Sequence, residues 1–390
     1  MSDYDVVIIG AGMVGSAAAC RLASDGLRVA LIEARLPDLN LDDNYIDLRV
    51  SAVSRGSQVL LRQLGAWRLI EPRFRSPFRV MRVWDAQVAP RAAEVLEFDS
   101  AEIGEPDIGH IVENRRIVAA LHGVIADSDA VELIAPAVAT DIGLGDDHVT
   151  VTLDNGLQLR ARLLIGADGA RSPTREQTGI ETEGWSYHQK GVVTHVRTSR
   201  PHNETAWQRF LPTGPIALLP LYDGRSSIVW STTEDEAQRL LALDEATFNR
   251  EITKATDGAL GDVIDSDKRA AFPLQLLHAK QYTRPRLALV GDAAHAIHPL
   301  AGQGVNLGFA DVRHLADALT AGDPGDHVGL RRYERKAKSE NLVMMGTLDA
   351  LHRLFTSEQP VLSRLRSAGL GLVNRVTPVK QLLIRRALGH

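Results

Sequence analysis

The sequence predicts an α/β chain: a Rossmann-like nucleotide-binding domain, an antiparallel sheet inserted into it, and helices at the C-terminal end. Three observations lead there. Residues 6–33 read as strand, glycine turn, helix and strand, the opening βαβ unit of a parallel sheet. Residues 181–272 change character, becoming rich in Thr, Val, Trp and Pro with alternating strand signals. From 305 onward the apolar spacing is mostly helical.

In chain order, Val6-Val7-Ile8-Ile9 is a continuous apolar run, as expected of a strand buried on both faces. Gly10-Ala11-Gly12-Met13-Val14-Gly15 follows, then a helix carrying Ala17, Ala18, Leu22 and Ala23, then the strand 28–33. Residues 37–45 are polar and irregular, a loop. Residues 54–64 read as a helix stopped by Gly65. Residues 79–84 alternate with a strand period, and 113–125 have helical spacing. Short strands continue to Ile165, with Asp154-Asn155-Gly156 as a hairpin turn. Strand signals recur at 191–197, 216–221 and 226–232, and 287–292 returns to the buried-strand style of the first domain. The expected division is a nucleotide-binding domain from 1–75, 101–180 and 276–330, a substrate domain from 76–100 and 181–275, and C-terminal helices over 331–390.

A chain of 390 residues is too long for one simple core and suits two domains. Hydrophobic residues make up 44% and charged residues 24%, an ordinary soluble composition. A formal charge of -5 gives nucleic-acid binding no electrostatic support. The single cysteine, Cys20, excludes an intramolecular disulfide and reads as a small buried residue. No Cys/His cluster has metal-ligand spacing, so no metal is expected. The chain enters a strand almost at once, no signal peptide is read, and no window approaches the ~20 apolar residues of a spanning helix. The expected place is the cytoplasm, with any membrane contact peripheral at the inner face.

Three segments carry the chemistry. Gly10-x-Gly12-x-x-Gly15 sits between a strand and a helix, and Glu33 ends the next strand. The glycines permit the tight turn and let backbone N–H groups approach a pyrophosphate, while the acid is placed for ribose hydroxyls. This unit alone does not separate FAD from NAD. The second segment, Leu164-Ile165-Gly166-Ala167-Asp168-Gly169, ends a strand with a carboxylate at the crevice edge; a simple capped turn is the alternative. The third runs from Val290-Gly291-Asp292 to Gly302-Gln303-Gly304-Val305-Asn306. Asp292 can accept hydrogen bonds from a polyol chain. The Gly302–Gly304 turn opens a helix whose N-terminal end, with about half a positive charge, would stabilise charge on a reduced flavin. His295 and His298 are read as structural.

These segments resemble those of the class A FAD-dependent aromatic monooxygenases, the family with the para-hydroxybenzoate hydroxylase fold. His298-Pro299-Leu300-Ala301-Gly302-Gln303-Gly304-x-Asn306-x-Gly308-x-x-Asp311 is similar throughout to the signature of the ubiquinone-biosynthesis hydroxylases. Asp47-Leu48-Arg49-Val50-Ser51-Ala52, Gly109-His110-Ile111-Val112-Glu113-Asn114, Ile228-Val229-Trp230-Ser231 and Leu330-Arg331-Arg332-Tyr333-Glu334-Arg335 resemble the branch that oxidises a polyprenylated phenol at C5. The resemblance implies that NADH or NADPH reduces FAD, and that oxygen from O2 reaches an electron-rich phenol through a flavin C4a-hydroperoxide. It also implies roles: Gly10, Gly12, Gly15 and Glu33 on the ADP half; Arg35, Arg49 and Asp168 near the pyrophosphate; Asp292 on the ribityl chain. Gly302, Gln303, Gly304, Val305 and Asn306 would meet the isoalloxazine edge, and Pro299 would line the flavin face as the catalytic position.

The sequence names no base for the phenol proton. Tyr187, His188 and His195 lie in the inserted sheet and are read first as sheet residues. Phe210, Ile216, Leu218 and Leu219 are the expected apolar substrate wall, with plain sheet core as the alternative. The basic stretch 361–390 is a candidate membrane-surface segment, against the preferred alternative that it packs on the body or another subunit. Other quinone-biosynthesis proteins are candidate partners. The rivals in function are a sister hydroxylase acting elsewhere on the ring or on another aromatic, and a non-catalytic flavin-bound scaffold. A related halogenase would carry Trp-x-Trp-x-Ile-Pro, which is lacking.

Overall fold

The computed structural model describes residues 4–39, 41–296, 304–319 and 322–356. Two sheets dominate. The first is parallel at its centre: strand Tyr4–Ile9 lies between Gln158–Gly166 and Val29–Ile32, the latter pairs with Val131–Ile134, and Leu287–Leu289 extends the far side. Val6, Val7, Ile8 and the strand Val29–Ile32 are buried on both faces, as their unbroken apolar runs require. Helices Met13–Ser24 and Asn114–Ala126 pack together against this sheet, and helix Gly304–Ala318 packs on the first of them. Ser54 caps the helix Arg55–Gln63, and Gly65, at φ +79°, stops the segment in the left-handed conformation.

The second sheet is largely antiparallel and gathers strands from distant parts of the chain, among them Val80–Asp85, Leu96–Asp99, Thr182–Thr198, Thr205–Leu211, Gly214–Pro220, Ser226–Thr233 and Ala270–Ala279. Strand Ala270–Ala279 passes the expected boundary at 275, and His295–Ala296 pairs back onto it. Helices Glu234–Ala242 and Glu245–Ala255 cover one face of this sheet with Leu240, Phe248 and Ile252. The other face looks toward the first domain. Between the two lies a small sheet that the sequence did not announce, Val50–Ser54, Gly109–Glu113 and Ser76–Phe78.

Candidate functional site

The separated sequence segments converge on one crevice, and the glycines record how closely. A Cβ at Gly10 would lie 2.5 Å from the Ala167 carbonyl oxygen, so the glycine turn and the Asp168 turn pack backbone to backbone. A Cβ at Gly308 would lie 2.5 Å from Val14, and one at Gly291 3.2 Å from the same side chain. Val14, inside the glycine motif and in the first turn of helix Met13–Ser24, is therefore the point where helix Gly304–Ala318 and the Gly291-Asp292 turn close on the nucleotide unit. Gly12 differs: nothing stands within 4 Å of its missing Cβ. The motif is thus tight at Gly10 and Gly15 and open at Gly12, where helix Met13–Ser24 begins without a side-chain cap. An uncapped N-terminus with open space before it is the cradle that a pyrophosphate fits.

Glu33 sits beside this cradle. Its carboxylate accepts from the backbone N–H of Ala11 at 2.7 Å and of Arg35 at 3.1 Å, which fixes its direction. Arg35 and Arg49 are exposed. Arg49 also lines the cavity described below. Asp168 accepts from Ser172 Oγ and from the Thr174 N–H at 2.9 Å, so its carboxylate caps the following helix as well as edging the crevice. Asp292 is exposed to the crevice although protein surrounds it closely. Burial pushes its pKa up, nearby His295 pulls it down, and Asp311 pushes it up again. A carboxylate on the floor of a recess suits hydrogen bonding to a polyol.

Asn306 stands in the first turn of helix Gly304–Ala318. Its side chain turns into the protein: Oδ1 accepts from the Ser54 N–H at 3.0 Å and from Ser57 Oγ at 2.7 Å, and Nδ2 donates to the Ala52 carbonyl at 2.9 Å. Asn306 thereby pins the N-terminal end of helix Gly304–Ala318 to strand Val50–Ser54. Gly304 and Val305 are half-buried at that end. Pro299, Gly302 and Gln303 lie outside the described residues, as does the basic stretch 361–390.

On the other side of Val50–Ser54 is a cavity of about 670 Å³. One wall comes from Tyr45, Asp47, Leu48, Arg49, Val50, Ala52 and Asn114, the other from the open face of the large sheet. Here the expected substrate wall needs correction. Leu219 lines the cavity, but Ile216 and Leu218 are 0% and 1% exposed and belong to the core under the helices on the opposite face. Strand side chains alternate, so Ala217 and Leu219 face the cavity while Ile216 and Leu218 face away. Phe210 pairs with the cavity residue Pro215, and hence shares its face, but is buried in the sheet rather than lining the space. The candidate bases do not line it either. Tyr187 reaches Asp349 at 3.4 Å and His188 is exposed in an irregular stretch of its strand. His195 is fully buried two residues beyond Val193, with its pKa lowered by burial and then by Arg225, against the opposing Asp267.

Two supporting residues were not foreseen. Glu113, 2% exposed, accepts from the Asp47 N–H at 2.8 Å and from Nε of Arg115 and of Arg116, both at 2.7 Å, and so holds the loop that carries Arg49. Asp311 accepts from the Gly291 N–H at 2.8 Å and pairs with His295 at 2.6 Å. Both acids stand in the quoted motifs, but what they hold is distant in sequence.

The FAD binding domain family matches residues 138–343, and the FAD dependent oxidoreductase family matches residues 5–39. The chain is 39% identical to the mitochondrial ubiquinone biosynthesis monooxygenase COQ6 of Xenopus tropicalis, over 98% of this chain and 92% of that one. It is 36% identical to the 3-demethoxyubiquinol 3-hydroxylase of Escherichia coli, over 99% and 98%. The chain belongs to the FAD-dependent monooxygenases of the ubiquinone-biosynthesis hydroxylase family. The ubiquinone hydroxylase UbiL of Rhodospirillum rubrum is 39% identical over 99% of this chain and 89% of its own. Among solved structures, p-nitrophenol 4-monooxygenase of Pseudomonas putida superimposes with a TM-score of 0.79 at 20% identity, over 100% of this chain and 99% of that one. That likeness establishes the shared fold. FAD is the cofactor of this family, and the cradle at Gly12, the fixed Glu33 and the recessed Asp292 fit it.

Proposed function

We propose that this enzyme hydroxylates the ring of a polyprenylated phenol at C5, giving a polyprenyl catechol in ubiquinone biosynthesis. The observation that carries this reading is Ala52. It lines the cavity, and its carbonyl holds Asn306 at the N-terminal end of helix Gly304–Ala318. The space for an apolar ring and the helix end for a flavin edge are thus two sides of one strand. When bound, FAD reduced by NADH or NADPH supplies the activated oxygen from O2.

The protein's own part is to bind, orient and dry. Gly10, Gly12 and Gly15 would admit the pyrophosphate, with Arg35, Arg49 and Asp168 beside it, and Glu33 would hold the adenosine ribose. Asp292 would hold the ribityl chain, and the backbone at 302–306 the ring edge, with Pro299 at the face. Val193, Ala217, Leu219 and Val229 offer an apolar wall that excludes water. A cavity of about 670 Å³ takes a ring and the first part of a tail.

The rest of a polyprenyl tail belongs in lipid, since each CH2 removed from water contributes about 0.8 kcal/mol. The proposed place of work is therefore the membrane surface on its inner face, in company with other quinone-biosynthesis proteins. Among the described residues no helix is long and apolar enough to cross a membrane.

The test is a strain lacking the gene. It should lack ubiquinone and accumulate the precursor unhydroxylated at C5, identified by mass spectrometry. Normal quinone levels without a paralogue would refute the reading. The Escherichia coli relative favours a second reading, in which a later, demethoxylated ring is the substrate; accumulation of that intermediate would select it.

A further inference from the structure

The cavity wall formed by the large sheet has a cross-strand row of Val193, Val229, Ala217 and Gln208, set by successive pairings of adjacent strands. All of them line the cavity. Three are apolar and the fourth is an amide. Gln208 is 6% exposed, so its amide is well removed from bulk water. Among the described residues its side chain has no hydrogen-bond partner.

Of the other polar groups that line the cavity, Arg49 is exposed and is assigned above to the pyrophosphate. Asn114 Oδ1 accepts from Ser51 Oγ at 2.6 Å, Asp47 Oδ1 accepts from the Arg49 N–H at 2.7 Å, and Tyr45 is half exposed. Ser231 lies one side-chain row further along its strand, beyond Val229. The Gln208 amide is thus not sealed in the core but opens to the cavity, and an amide in an apolar ligand site is the usual source of orientation.

We propose that Gln208 is the residue that reads the ring hydroxyl, its amide oxygen accepting the phenol O–H and thereby fixing which ring carbon is presented for hydroxylation. This rests on the functional reading above and deepens it, assigning regiochemistry to one side chain on the sheet wall. A site built this way rejects a ring lacking the hydroxyl, because the analogue leaves the amide unpaired.

The test uses the full-length FAD-loaded protein with two probes, a short-chain 2-prenylphenol and the corresponding prenylbenzene. Binding is followed by the change in flavin absorbance and products are identified by mass spectrometry and NMR. Wild type should bind the phenol about 10- to 100-fold more tightly than the hydrocarbon, the equivalent of one buried amide left unpaired. Gln208→Leu and Gln208→Met should retain FAD, bring the two affinities together and scatter the position of hydroxylation. Gln208→Asn, a shorter amide, should retain part of the preference.

A wild type that does not distinguish the probes overturns the proposal whatever the variants do. So does a Gln208→Met variant that keeps both the preference and the single product. If wild type hydroxylates neither probe nor any prenylphenol, the functional reading itself fails, which is a different outcome from intact hydroxylation without discrimination.

Discussion

His295 Nε2 lies 2.6 Å from a carboxylate oxygen of Asp311, with both side chains 1% exposed. The same oxygen accepts the Gly291 N–H at 2.8 Å. One carboxylate on helix Gly304–Ala318 therefore fixes the turn that presents Asp292. Asn341 donates to its second oxygen at 3.2 Å, and Tyr282 stacks over His295. Burial alone would lower the His295 pKa, but the Asp311 charge and hydrogen bond outweigh it and the pKa is raised.

A raised folded pKa means that the pair stabilises fully below the unfolded histidine value of about 6.5 and that this stability is lost as pH rises through the folded value. Flavin release, followed by fluorescence, should accordingly grow on the alkaline side. His295→Gln should hold FAD less tightly at neutral pH and lose that alkaline step. An unchanged alkaline step in the variant would place the titration elsewhere. Asp311→Ala, which leaves a buried partner uncompensated, should destabilise by roughly 3–5 kcal/mol.

Gly12 and Gly15 should respond oppositely to substitution. The Gly15 Cβ position is 1.9 Å from the Gly10 carbonyl oxygen, so Gly15→Ala should impair folding itself. Gly12 has open space, so Gly12→Val should fold with the melting temperature of the wild-type apoprotein yet lose FAD. A valine variant that remains fully yellow would remove the pyrophosphate from this turn.

The alternation of strand Gly214–Pro220 gives a paired experiment. Leu218→Ala removes a core side chain that is 1% exposed and should destabilise by about 2–5 kcal/mol. Leu219→Ala should leave the melting temperature nearly unchanged and raise KM for the prenylphenol. The reverse assignment of effects would mean the cavity face has been misplaced.

Asp292→Ala should fold, bind FAD about 10- to 100-fold more weakly and stop hydroxylation, since charge-assisted hydrogen bonds contribute roughly 1.5–3 kcal/mol. Equilibrium dialysis of FAD measures this directly, and full retention would sink the ribityl-chain role.

Much of this was legible in the sequence because its signals are local. The glycine turn, Glu33 and the buried strands each declare themselves within a few residues, and Gly65 stops its helix where expected. The alternation that separates Leu219 from Leu218 was also present, but four apolar residues in a row hide a period of two unless one face is known to be covered by helices. The roles of Glu113, Asp311 and the Asn306 side chain could not be read, because each depends on partners that only the fold brings near: Ser54 lies 252 positions from Asn306. Gln208 stood in an ordinary strand and became notable only when its neighbours in the cavity row proved apolar.

The most direct test of the central claim is the fate of oxygen. FAD-loaded protein is mixed with NADPH or NADH, isotopically labelled O2 and a short-chain 2-prenylphenol, and the product is analysed by mass spectrometry and NMR. The expected product is a catechol carrying one labelled oxygen beside the original hydroxyl, formed in step with nucleotide oxidation. Nucleotide oxidation that yields only hydrogen peroxide with the phenol intact, or a product oxygen derived from water, would contradict it.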